Sequence, residues 1–219
     1  MFMIFMALKK MEPRIERSRR SNSCITTLSF EPKMAMNRVV FWDVDTQIDF
    51  MLPNGKLYVT GAVDIIPVLK EITDFANVNG IHRCGSIDVH TLNDPEFKIF
   101  PPHCVIGTKG IHKIPETSPK TSCMISKHTY DVFSEVDIMH DIVQTFKSEG
   151  IDTVIVYGVA VDYCVKTAAL GFMYRGFNTI LITDATAGVA VGTTRAAFNE
   201  MMSAGVKFNT FNEIKKMLS

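Results

Sequence analysis

Hydrophobic and polar positions alternate along this chain in two registers, and the change from one to the other marks its elements. Val39-Val-Phe-Trp-Asp-Val44 is a nearly unbroken apolar, β-branched run, the pattern of a strand buried on both faces. Ile65, Ile66, Leu69, Ile72 and Phe75 then recur at helical spacing, with Asp64 as the expected cap, Pro67 in the first turn and Asn79-Gly80 as the stop. A second strand is expected around Arg83 to Asp88 and a third over Cys123 to Lys127. Between them, residues 90 to 122 are rich in Pro, Thr and Lys without periodicity, and a loop of that length usually carries function. Val136 to Ser148 reads as a helix buried through Ile138, Met139, Ile142 and Phe146. Thr153 to Tyr157 is a fourth apolar strand, and Val165, Ala168, Ala169 and Phe172 form the buried stripe of a helix running to about Tyr174, with Gly176 ending it. A strand over Asn178 to Thr183, a helix over Thr193 to Ser203, an edge element near Val206 to Phe208 and a helix over Phe211 to Leu218 complete the pattern. Strand and helix in strict alternation predict an α/β fold, a doubly wound and mainly parallel sheet with helices on both faces.

Residues 1 to 36 do not share this pattern. Met1 to Leu8 is apolar but far shorter than the roughly 20 residues a membrane span requires, and Arg14 to Arg20 packs four arginines among serines. Charge after the apolar run is the reverse of a secretory signal, and Glu12 and Glu16 are out of character for an organelle-targeting peptide. The expectation is a disordered leader or an overlong translation start over 1–36, and one domain over 37–219. With a formal net charge of zero and 47% apolar residues, the domain is expected to bind neither nucleic acid nor membrane and to favour a small-molecule ligand. The five cysteines are odd in number and lack zinc-type spacing, which points to reduced thiols and a cytoplasmic setting. A homo-oligomer is left open.

In a parallel sheet the ligand site lies beyond the carboxyl ends of the strands, so the polar residues there matter most. They are Asp45 and Asp49 after the first strand, Asp88 and His90 after the second, Lys127 after the third and Cys164 after the fourth. A carboxylate, an Asp-x-His pair of metal-binding type, an ammonium and a thiol thus converge on one edge. With Asp162 as N-cap, Cys164 falls in the first helical turn, where free backbone N–H groups favour a thiolate. The plainer reading of Cys164 is a small buried apolar residue.

These residues also carry a resemblance. Asp45-Thr-Gln-Ile-Asp-Phe50, Asp88-Val-His90, Phe100-Pro-Pro-His-Cys-Val105 with Gly107-Thr108, and Gly158-Val-Ala-Val-Asp-Tyr-Cys-Val165 resemble, in order, four motifs of the isochorismatase-like cysteine hydrolases, and most of all those of the nicotinamidases. The resemblance covers residues 38 to 210 and implies an isochorismatase-like fold of Rossmann-like layers. It implies a triad of Asp45, Lys127 and Cys164 that hydrolyses an amide. Cys164 would attack the carbonyl, Lys127 would hold the thiolate and lower its pKa, and Asp45 would move the proton. It places a non-proline cis peptide at Val159-Ala160, with the N–H groups of Ala160 and Cys164 as the oxyanion hole. It also implies a divalent metal ion, zinc with iron or manganese as alternatives, on Asp88, His90, His103 and Glu96, the last standing where the family often has a histidine. Phe50, Leu57 and Phe100 fall where the family lines its pocket.

The function implied is metal-assisted conversion of nicotinamide to nicotinate and ammonia in NAD salvage, with the small amide as partner. Val89, Thr46 and Ile48 depart from the residues common in the family, which leaves open a branch acting on a carbamoyl or ureido compound. A catalytically silent binding homologue is the third reading. An activated thiol is expected to react fast with alkylating agents near neutral pH, a silent one slowly.

Overall fold

The computed structural model describes residues 34–118 and 122–219. Six strands form one sheet in the order β3-β2-β1-β4-β5-β6, every neighbouring pair parallel. They are β1 Val39–Val44, β2 His82–Asp88, β3 Ser122–Lys127, β4 Thr153–Val159, β5 Asn178–Ala187 and β6 Lys207–Asn209. The helices are α1 Ile48–Met51, α2 Ile66–Asn79, α3 Val136–Ser148, α4 Lys166–Tyr174, α5 Val191–Ala204 and α6 Phe211–Leu218. Among the described residues no helix is long and apolar enough to cross a membrane. The expected leader lies, up to residue 33, outside the described residues. Met34 belongs to the domain, its N–H donating to the Met217 carbonyl at 3.0 Å.

The two central strands explain the layering. Every residue of β1 and β4 is buried, because successive side chains feed opposite cores. Val40, Trp42, Val44, Val154 and Val156 meet α3, α4 and α5 on one face. Val39, Phe41, Ile155, Tyr157 and Val159 meet α1, α2 and α6 on the other. The chain winds outward from β1 to β3, then returns to start β4 on the other side of β1. That reversal leaves a crevice at the carboxyl ends of β1 and β4, the usual ligand position in such sheets. Gly158 permits the close approach there: its φ is +114°, and a Cβ on it would lie 2.1 Å from the Val44 carbonyl oxygen.

Several expectations need correction. Asp64 does not cap α2; it lies inside a 3₁₀ turn, Ala62–Ile65, that leads into the helix. The buried face of α3 runs through Met139, Val143 and Phe146, while Ile138 is exposed. A helical turn, α1, follows β1, and β5 extends four residues past the expected end. Asp162 does not cap its own helix either. A π-type turn, Val161–Val165, opens α4, and the Asp162 carboxylate instead accepts from the N–H of Val189 (3.0 Å), the N–H of Ala190 (3.3 Å) and the Thr193 hydroxyl (2.5 Å) at the start of α5.

Candidate active site

Asp45, Asp88, Lys127 and Cys164 meet beyond the strand ends. Asp45 leaves β1 with a positive φ of 46°, and its carboxylate accepts from the Ser86 hydroxyl at 2.7 Å. Lys127 closes β3 and is fully buried. Its Nζ lies 2.9 Å from Asp45 Oδ2, 2.9 Å from Asp88 Oδ1 and 3.6 Å from Cys164 Sγ. One ammonium thus bridges two carboxylates and the sulfur. Its pKa is pushed well above the usual value, since the negative charges around it outweigh the opposing effect of burial.

The thiol does not behave as expected from the sequence. Burial raises the Cys164 pKa well above the ordinary thiol value, and Asp45 and Asp88 add to the rise; Lys127 lowers it, but by less. The Lys127 ammonium bridges Cys164 to the Asp45 carboxylate. The Val159–Ala160 peptide bond is cis. Both Ala160 and Cys164 line a small cavity of about 100 Å³, which Phe50, Leu57 and Phe100 wall as well. Val59, Tyr130, Val159, Tyr163 and Val189 also line it and were not foreseen. Glu96, Phe100, Tyr130 and Tyr163 are shared with a wider outer cleft of about 1010 Å³. Of the residues that depart from the family pattern, Val89, Thr46 and Ile48 do not line the small cavity, whereas Glu96 does.

Beside the thiol, Asp88, His90, Glu96 and His103 each present one donor atom, all within 4.8 Å of one another. The imidazoles are oriented from behind. His103 Nδ1 lies 2.7 Å from the Pro101 carbonyl, which can only accept, and His90 Nδ1 lies 3.0 Å from Asp94 Oδ2. The Nδ1 proton of His103 is thereby fixed and its Nε2 lone pair turns inward, whereas neither ring nitrogen of His90 makes a hydrogen bond. Each Nε2 then lies 3.1 Å from the same oxygen, Asp88 Oδ2. A proton or a metal ion among these atoms would satisfy them together. Burial opposes a charge on His90, yet Asp88 and Asp94 raise its pKa to about 9. Burial and the Asp88 charge raise the Glu96 carboxyl. Two imidazoles and two carboxylates are a donor set that suits zinc, iron or manganese.

Ser86, Asp94 and Gln47 lie behind the site and were not foreseen as contributors, whereas Asp49 was singled out at the end of the first strand but without a partner. Ser86 was accessible to sequence reading in principle, since it lies two residues before Asp88 and so on the same face of β2.

A six-stranded parallel sheet that brings a half-buried thiol, a buried ammonium and a buried carboxylate together at its switch point has the layout of an α/β enzyme. The isochorismatase domain matches residues 40–213, and the chain belongs to the isochorismatase family. It is 34% identical over 177 residues to a nicotinamidase/pyrazinamidase of Mycobacterium tuberculosis, an alignment covering 75% of this chain and 94% of that protein. The crystal structure of the Pyrococcus horikoshii pyrazinamidase in complex with zinc matches the fold with a TM-score of 0.72 at 29% identity, over 79% of this chain and 99% of that one. PnC1 from L. infantum, solved in complex with nicotinate, matches with a TM-score of 0.73 at 25% identity, over 82% and 96% of the two chains.

Proposed function

We propose that this protein is a metal-assisted cysteine amidohydrolase that converts nicotinamide to nicotinate and ammonia in NAD salvage. The observation that carries the reading is the single ammonium of Lys127 between Asp45 and Cys164, at the wall of a cavity lined mainly by apolar and aromatic side chains. Such a cavity suits a flat heteroaromatic ring. The relatives named above, acting on nicotinamide and pyrazinamide by their names, support the substrate class.

In this mechanism Asp45 takes the Cys164 proton as the sulfur attacks the carboxamide carbon. Lys127 keeps the reacting groups in register and offsets the negative charge as it moves. The N–H groups of Ala160 and Cys164 receive the developing oxyanion. Asp45 returns the proton to the departing nitrogen, ammonia leaves, and a thioester remains on Cys164. Water deprotonated by Asp45 cleaves it and releases the carboxylate. Asp88, His90, Glu96 and His103 would hold a divalent ion, zinc by preference, which would supply a Lewis-acid partner for a ring nitrogen. Val89, Thr46 and Ile48 lie off the cavity walls and give no reason to prefer another amide; Glu96, where the family often has a histidine, is on the walls.

Ammonia release from nicotinamide and from a panel of carbamoyl and ureido compounds, before and after metal removal, tests the reading. Nicotinamide turnover that disappears in Cys164→Ala is expected. Release only from a ureido compound would reassign the substrate, and turnover surviving in Cys164→Ala would end the thioester mechanism.

A further inference from the structure

The turn after β1 is tied to three of the four candidate metal ligands without touching the metal position itself. Gln47 is fully buried, and its side-chain amide is saturated with backbone partners. Its Nε2 donates to the carbonyls of Asp88 (2.7 Å) and Ile111 (2.8 Å), and its Oε1 accepts from the Asp88 N–H at 2.7 Å. Both backbone polar groups of Asp88 are thus held by one side chain. Two residues on, Asp49 Oδ2 accepts from the Cys104 N–H at 2.8 Å, and Oδ1 accepts from the Lys56 N–H at 3.0 Å. Cys104 follows His103 directly, has a positive φ of 46°, and its carbonyl accepts from the His90 N–H at 3.1 Å. Gly110 packs flat against this carboxylate: a Cβ there would lie 2.0 Å from Asp49 Oδ2.

We infer that Gln47 and Asp49 are the positioning residues of the metal site, Gln47 setting Asp88 and Asp49 setting His90 and His103 through Cys104. The inference rests on the metal part of the proposed function. It goes further in assigning the preorganisation of the ligands to two side chains that neither bind the ion nor reach the substrate. Outer partners of this kind usually change metal affinity by about 10- to 100-fold.

The test is zinc affinity of the chelator-stripped protein, read by competition with a chromophoric chelator, so that no substrate is involved. Gln47→Glu keeps the acceptor for the Asp88 N–H and loses both donations, whereas Gln47→Ala loses all three bonds. Zinc binding is expected to weaken in the order wild type, Gln47→Glu, Gln47→Ala, reaching about 10- to 100-fold. Asp49→Asn and Gly110→Ala are expected to weaken it as well, although Gly110 contacts no ligand. Leu69→Ala, in the core beneath α2, is the control for general destabilisation, and its zinc affinity should equal that of wild type. Folded Gln47 and Asp49 variants that bind zinc like wild type would overturn the inference, as would a control that weakens binding equally. A wild-type protein that binds no zinc would overturn it together with the metal assignment, while nicotinamide inertness with intact zinc binding would leave it standing.

Discussion

Replacing Lys127 by methionine removes the charge at the centre of the site while keeping a side chain of similar length. In the wild type the ammonium is fully buried and lies 2.9 Å from both Asp45 and Asp88. Without it two buried carboxylates face each other with no cation between them. Breaking a buried ion pair by deleting one partner costs about 3–5 kcal/mol. For a domain of this size 1 kcal/mol shifts the melting temperature by about 2–4 °C, so a drop of about 6–20 °C is expected at pH 8 in chelator-stripped protein. The drop should also depend on pH with a definite sign. Burial pushes the Asp88 carboxyl up, but Lys127, His103 and His90 hold it well below the usual carboxylate range. A carboxylate with a depressed folded pKa contributes stability above its unfolded value of about 3.9, lost only as pH falls through the folded value. In Lys127→Met, burial and the neighbouring Asp45 dominate and the folded pKa rises. A carboxyl of that kind gains stability as pH falls, because the folded state then binds the extra proton. Scanning calorimetry at pH 8 and pH 5 should therefore show the gap between wild type and Lys127→Met narrowing on acidification. A variant as stable as wild type at pH 8, or a gap that does not change with pH, would refute the reasoning.

Metal binding should be sensitive to pH because a proton and a metal ion compete for the same imidazole. With the His90 pKa at about 9, apparent zinc affinity should fall by about tenfold per pH unit between pH 8 and pH 6 for the one proton displaced; a flat titration would argue against His90 as ligand. Alkylation mapped by mass spectrometry should find the exposed Cys123 reacting before Cys164 near neutral pH, and the Cys164 rate should keep rising beyond the ordinary thiol pKa. Slow alkylation of the free protein therefore does not mark a silent homologue, and a Cys164 that outpaces Cys123 at pH 7 would contradict the raised pKa. Excess zinc should restore more ammonia release to His103→Ala than to Asp88→Asn, since Asp88 also braces Lys127; equal rescue would separate the metal site from the triad.

The fold was largely legible because its strands are short, apolar and bounded by turn residues, and periodicity separates them cleanly from the amphipathic helices. What the sequence concealed depends on partners distant along the chain. Asp162 sits between a strand and a helix, where an N-cap is expected, yet its carboxylate crosses to the start of α5. The residue at that cap is Ala190, which has no side-chain acceptor of its own. In α3, Ile138 and Val143 flank the buried stripe on opposite sides, so local spacing alone does not select the face. The position of the sheet selects Val143.

The site divides along the same line. The proximity of the candidate residues could be foreseen because a parallel sheet sends its strand ends to one edge, which needs only the order of elements. Their protonation could not, because it depends on the balance of burial against charges contributed by other strands. Cys164 illustrates this: Lys127 acts on the thiol in the expected direction, but the same ammonium is shared with Asp45 and Asp88, and both carboxylates oppose it. The sharing makes the proposed triad and the proposed metal ligands one electrostatic unit. Charge placed on Asp88 alters how much of Lys127 remains for Cys164, so the two halves of the site are coupled through a single nitrogen atom.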